Sequence, residues 1–185
     1  MYRFTIIFFL LNLYTPTFSS MTDKIISQMQ NSNNLSFNFT QLIDEKKESG
    51  SCIIKYPKKI YCKYDGTNKK IIVSNGKTLV IKNINNGNYY IYPLKKTPLE
   101  FLLDKNYLVS KIKDLEPKIL DNKFITFTFF GNHNNEIKIF FNKDSLILTG
   151  WQTEDIYQNL SITFISSVEI NQEINDKIFI LPKNN

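Results

Sequence analysis

A chain of 185 residues with 42% hydrophobic content can bury one sizeable core, and its length fits a single domain. The formal charge is +6, but Arg3 is the only arginine, so the rest of the chain has no guanidinium to grip phosphate or carboxylate bidentately, which argues against specific nucleic-acid readout. The aromatic share is 14%, with 15 Phe and 10 Tyr, and rings of this kind favour strands and bury large areas.

Residues 1–20 read as a secretory signal. Arg3 supplies the positive start, residues 4–13 are apolar apart from Thr5 and Asn12, and Thr17-Phe18-Ser19 has the small residues a cleavage site needs. The apolar run is too short to span a bilayer as a helix, although an uncleaved anchor is the competing reading. No cysteine lies near the site, so no lipid attachment is expected there. The expected product is one exported, soluble domain over residues 21–185, with 22 lysines against 17 acidic residues and a net charge of +5.

Residues 21–29 have the spacing of a short amphipathic helix, with Ile25, Ile26 and Met29 on one side and Thr22 or Asp23 as cap. Strands follow. Leu35, Phe37 and Phe39 alternate with Ser36, Asn38 and Thr40. Residues 51–56 and 60–64 form the next pair about the turn at Pro57. Cys52 and Cys62 are symmetric about that turn and would face each other across it. A disulfide and two small buried hydrophobes are both open readings. Residues 70–74 and 78–82 flank Asn75-Gly76, a strong hairpin signal, and residues 89–94 make another strand. Thr97 and Pro98 open a short helix that sets Leu99, Leu102 and Leu103 on one face. Residues 104–117 are helix or coil. Strands resume at 124–130, 136–141, 146–151 and 160–166, and a short one is expected at 178–181. About ten strands with no repeat or linker predict one antiparallel barrel or strongly curved sheet.

The inner face of that sheet is expected to carry Phe37, Phe39, Ile60, Cys62, Leu79, Ile81, Phe127, Phe129, Ile139, Phe141, Leu160, Ile162 and Phe164. Two short helices are little cover for so much apolar surface. Either the strands close on a packed core, or they surround a cavity for an apolar ligand.

Catalytic patterns are missing. His133 is the only histidine and sits in an Asn-rich turn. No metal spacing, Gly-rich phosphate loop or nucleophile elbow is present. Glu154 and Asp155 form an acidic pair suited to a turn. The lysines at 55, 58, 59, 63, 69 and 70 read as solvated faces, or as a contact surface for an acidic partner or anionic lipid heads. The chain is therefore expected to bind rather than catalyse, with no cofactor and no metal.

Several stretches, in order, resemble the periplasmic outer-membrane lipoprotein carrier (LolA-like) family. They are Ser36-Phe37-Asn38-Phe39-Thr40-Gln41, Gly50, Tyr56-Pro57-Lys58-Lys59-Ile60-Tyr61-Cys62-Lys63-Tyr64, Asn75-Gly76, Tyr92-Pro93-Leu94, Thr97-Pro98-Leu99, Leu102-Leu103, Gly150-Trp151, Asp155, Asn159 and the tail 179–182. The resemblance implies a mainly β fold, an incomplete antiparallel barrel of ten to eleven strands with a helical lid over a hydrophobic cavity. It implies a monomeric periplasmic chaperone that takes lipoprotein acyl chains from a LolCDE-type inner-membrane ABC transporter and passes them to a LolB-like outer-membrane receptor. A generic lipid-binding or sensor domain of the same fold is the alternative. The inner-face residues above would line the cavity, and Ile25, Met29, Leu99, Leu102 and Leu103 would form the lid. The family carries an arginine that tethers the lid at the position of Tyr56, and related sequences carry another at Tyr61. The resemblance therefore implies a looser latch at Tyr56, or one moved to Lys55.

Overall fold

The computed structural model describes residues 18–67, 69–131, 135–154 and 159–183. It holds an 11-stranded, fully antiparallel sheet in the order β6-β5-β4-β3-β2-β1-β11-β10-β9-β8-β7, open between β6 and β7. The strands are β1 (Asn34–Ile43), β2 (Lys46–Lys55), β3 (Lys59–Tyr64), β4 (Lys70–Asn75), β5 (Thr78–Asn83), β6 (Tyr89–Pro93), β7 (Lys118–Leu120), β8 (Phe124–Phe130), β9 (Glu136–Asn142), β10 (Leu148–Glu154) and β11 (Leu160–Ile170). Helices α1 (Phe18–Asn31), α2 (Leu99–Leu102) and α3 (Lys105–Lys113) pack on one face, which we call the inner face.

Turn chemistry closes the meander. Asp44, in the left-handed region at φ 51°, turns β1 into β2. In the β4–β5 hairpin the Asn75 side-chain oxygen accepts from the backbone N–H groups of Lys77 and Thr78, both at 3.0 Å, and Gly76 takes φ 98°. Asn142 plays the same part after β9, accepting from the N–H groups of Asp144 and Ser145. The chain closes on itself where β1 pairs with β11, setting Phe39 opposite Ile165 and Gln41 opposite Thr163.

Gly150 needs to be glycine. Its φ is 155°, and a Cβ there would lie 2.2 Å from the Thr163 carbonyl oxygen. Its cross-strand partners are Phe140 and Phe164, whose rings stack at 6.3 Å across the missing side chain on the outer face.

Residues 104–117, left open between helix and coil, contain α3. Asp104 caps it by accepting from the Tyr107 N–H at 3.1 Å, and Leu108, Val109 and Ile112 are buried. The expected strand at 178–181 is instead a 3-10 turn, Asp176–Phe179, which Asn175 opens by accepting from the Lys177 N–H. It packs across the outer face of β3 and β4, where Val73 is buried beside its β5 partner Val80. Lys55 and Lys59 pair with Asp176, Lys82 donates to the Lys183 carbonyl, and Tyr89 donates to the Pro182 carbonyl. Side-chain packing and ion pairs thus fix this segment where a ladder was expected. The signal expected at 1–20 lies outside the described residues up to Thr17.

Candidate functional site: a cavity between the helices and the sheet

Among the described residues, two cavities stand out between the helices and the inner face. The larger, about 420 Å³, is walled by α1 (Ile25, Gln28, Met29), α2 (Leu99, Leu102), Leu103 and Leu108 on one side. Opposite stand Leu35, Ile54, Tyr56, Ile60, Ile139, Phe141, Leu148, Trp151, Val168 and Ile170. Apolar side chains dominate the wall, and the volume falls in the range of small-ligand sites. The smaller, about 150 Å³, shares Ile60, Leu99, Leu102 and Trp151 with the first and adds Phe39, Gln41, Cys52, Cys62, Tyr64, Thr153 and Thr163.

All five expected lid residues, Ile25, Met29, Leu99, Leu102 and Leu103, border the larger cavity. Ile60 borders both cavities, Ile139 and Phe141 the larger, Phe39 and Cys62 the smaller. The sulfurs of Cys52 and Cys62 are bonded, and the two residues sit directly opposite in register, which places the disulfide in the smaller cavity's wall.

Five other expected residues are on the inner face but away from both voids. Phe37 packs edge-on against Trp151 at 6.0 Å. Phe127 and Phe129 are sealed in the core that α1 and α3 make with β8 and β9. Leu79 is buried in the second core cluster. Ile81, opposite Ile72, also shares the inner face but is only half-buried.

Leu160, Ile162 and Phe164 are corrected by the structure: they face outward. In register, Phe164 opposes Thr40 and Ile162 opposes Leu42, while the inner positions of β11 are Thr163 and Ile165. The exposures agree, with Leu160 at 38% and Phe164 at 42%, against 3% for Thr163 and 7% for Ile165. Phe124, Phe140 and Phe164 form an aromatic row on the outer face, so an apolar alternation there marks the outside.

The latch also moves. Tyr56 borders the larger cavity, and burial raises its phenol pKa well above the ordinary value, so it stays neutral. No hydrogen bond joins its hydroxyl to the lid among the described residues; its ring faces the Lys105 ammonium at 5.7 Å. Lys55 points outward to Asp176 and is not a latch. The tether is Lys58, in the β2–β3 turn at φ 65°. Its backbone N–H donates to the Leu103 carbonyl at 2.8 Å, and its Nζ meets Glu100 at 2.6 Å and Asp104 at 3.4 Å. The hydrogen bond to Glu100 is the main reason its ammonium is held above the usual lysine range. Lys105 ties the other end, donating from Nζ to the carbonyls of Gln30 (2.9 Å) and Ser32 (2.8 Å) where α1 ends. Two lysines thus fasten α1, α2 and α3 to one another and to the sheet.

The smaller cavity has a polar wall. Tyr64 donates from its hydroxyl to Gln41 Oε1 at 3.0 Å, and Gln41 Nε2 donates to Ser161 Oγ at 3.1 Å and Thr163 Oγ1 at 3.2 Å. Beside it Glu48, opposite Gln41 in register, pairs with Lys70 at 2.6 Å, and the Lys70 ammonium lies 4.2 Å from the Tyr64 ring centre. His133 and Asp155 lie outside the described residues. Among the described residues no cluster has the make-up of a metal site, and no helix is long and apolar enough to cross a membrane.

The family model for the outer membrane lipoprotein carrier protein LolA matches residues 30–181. The chain belongs to the LolA family. No curated protein matches it. Among solved structures, an uncharacterized conserved protein from Thermus thermophilus is similar at a TM-score of 0.53 and 7% identity, over 91% of this chain and 96% of that one. A LolA superfamily protein from Nitrosomonas europaea is similar at 0.48 and 10% identity, over 90% and 99%. A putative outer membrane lipoprotein-sorting protein domain from Vibrio parahaemolyticus is similar at 0.48 and 4% identity, over 86% and 94%. Against this LolA fold, sequence reasoning passed over Lys58 and Lys105, because lysines in turns and on helices usually face water. It also passed over Leu35, Ile54, Leu148 and Val168 as cavity residues. Leu35 and Ile54 were legible, since they continue the inner-face period of Phe37 and Cys52.

Proposed function

We propose that this LolA-family chain is a periplasmic carrier that holds the acyl chains of lipoproteins in the larger cavity and releases them to an outer-membrane receptor. The observation that carries this reading is the apolar cavity of about 420 Å³ with all five lid residues in its wall. Each methylene taken from water contributes about 0.8 kcal/mol, so a chain of fifteen gives roughly 12 kcal/mol. A ligand held that firmly would rarely leave. A carrier must offset part of the gain, and contacts made only in the empty state do so. Lys58 and Lys105 supply them: to admit a chain longer than the cavity, α2 and α3 must lift, and the bonds to Leu103, Glu100, Gln30 and Ser32 must break. Loading then draws on the ATPase of a LolCDE-type transporter, and unloading needs only a LolB-like receptor with the better cavity. The protein acts by binding, without catalysis, metal or cofactor, and works as a monomer.

The test is co-expression with a tagged lipoprotein and recovery from a periplasmic extract. A soluble one-to-one complex that elutes without detergent is the expected result. A chain that elutes empty and binds no apolar dye would refute the reading.

A further inference from the structure

We propose that the smaller cavity is a second subsite, which recognises a neutral polar group, an ester, amide or hydroxyl, on an amphiphile whose chain occupies the larger cavity. This rests on the reading of the larger cavity as an acyl site.

The two voids share Ile60, Leu99, Leu102 and Trp151, so they are neighbours with a common wall. Leu99 and Leu102 belong to α2, and any motion that lifts α2 merges the two spaces. The walls differ in chemistry. At about 150 Å³ the smaller void has room for a head of several heavy atoms and not for a second long chain.

Its polar wall is buried and organised. Thr163 is 3% and Tyr64 6% exposed, and both join the Gln41 amide. Apolar side chains of the same shape would hold the strands at least as well, because buried polar groups gain little net stability even when paired. On β8 and β9 the inner positions are apolar throughout: Ile125, Phe127, Phe129, Ile137, Ile139 and Phe141. A polar cluster in one cavity wall, absent from the other half, is the arrangement of a site that orients a ligand. The Thr163 hydroxyl, which accepts from Gln41, can donate to a carbonyl, and the Gln41 oxygen, which Tyr64 holds in place, can accept from a hydroxyl through its second lone pair.

The charge is wrong for an anion. Lys70 is already neutralised by Glu48 at 2.6 Å, and Glu48 stands opposite Gln41, so a carboxylate or phosphate head would meet an acidic neighbour and no unpaired cation there. The class is therefore a neutral head, as on an acylated glycerol.

The experiment uses the mature protein loaded with an apolar dye. Displacement is measured with a lauroyl glycerol ester, the alkane of the same chain length, and the free fatty acid. Wild type should release dye at a roughly tenfold lower concentration of ester than of alkane, with the acid weaker than the ester, as about 1.4 kcal/mol of hydrogen bonding would give. Gln41→Leu and Thr163→Val should bring ester and alkane to within about threefold by weakening the ester alone. Tyr64→Phe, which keeps the ring, should give a smaller change in the same direction and serves if a leucine variant melts early. An ester preference that is absent from wild type, or survives in every variant, overturns the subsite and leaves the network a strand clamp. Loss of dye and alkane binding together in wild type would instead remove the acyl site, and this inference with it.

Discussion

On β8 and β9 the inner side chains Ile125, Phe127, Phe129 and Ile137 are packed beneath α1 and α3, and none of them borders either cavity. On β1, β3 and β11 the inner side chains Leu35, Ile60 and Val168 look onto empty space. Both halves are antiparallel and both present apolar side chains to the helices, so outside the polar cluster of the smaller cavity strand chemistry does not set them apart. Helix length does. The nine residues of α3 bury Val109 and Ile112 on their half, with Leu108 at the border, whereas the four of α2 bring Leu99 and Leu102 to theirs and leave the remainder open. One half supplies rigidity and the other supplies capacity.

The largest effect should come from damage to the filled half. Phe127→Ala removes a fully buried ring and should cost about 3–5 kcal/mol in urea unfolding, whereas Leu99→Ala, which already borders a void, should cost about 1 kcal/mol. Equal losses would erase the distinction. Overfilling sharpens it from the other side. Ile137→Phe should destabilise by about 1–3 kcal/mol, while Val168→Trp, pointing into the larger cavity, should stay within about 1 kcal/mol of wild type yet weaken apolar-dye binding several-fold.

Smaller is the effect at the latch. Lys58→Met keeps the stem and the backbone N–H but removes the pairs to Glu100 and Asp104, so amide exchange should quicken in α2 and α3 with β8 unchanged, for about 1 kcal/mol or less. Tyr56→Phe should leave that exchange as it was; if it loosens the lid instead, the tether belongs to the phenol. The smallest effect concerns the outer segment. Lys55 holds the Asp176 carboxyl below its ordinary value, so its contribution is present above about pH 4 and is lost as pH falls through the lowered pKa. Asp176→Asn should flatten that part of an acid-melting curve by a small amount.

Most of the strands were legible because period-two alternation reports a half-buried strand directly. Lid residues were legible for the same reason at helical period. The failure on β11 is instructive. Leu160, Ile162 and Phe164 alternate cleanly, but both faces of β11 are wanted there, the outer for the row with Phe140 and the inner for Thr163 against Gln41. Alternation identifies a strand without saying which face is inside. The latch was hidden for another reason. A lysine beside a proline turn carries no sign of an acidic partner 42 residues away, and only the fold brings Glu100 to Lys58. The expected tail strand failed because an apolar run of a few residues also suits a segment held by packing and side-chain bonds without a ladder.

That tail decides how the molecule can be mounted. Residues 176–183 cross the face opposite the cavities, anchored by Asp176 and by the carbonyls of Pro182 and Lys183. A chain fixed to a sensor surface through its C-terminus should therefore stand with its lid turned toward solution. Ligand exchange could then be followed on the immobilised protein without the support blocking α2.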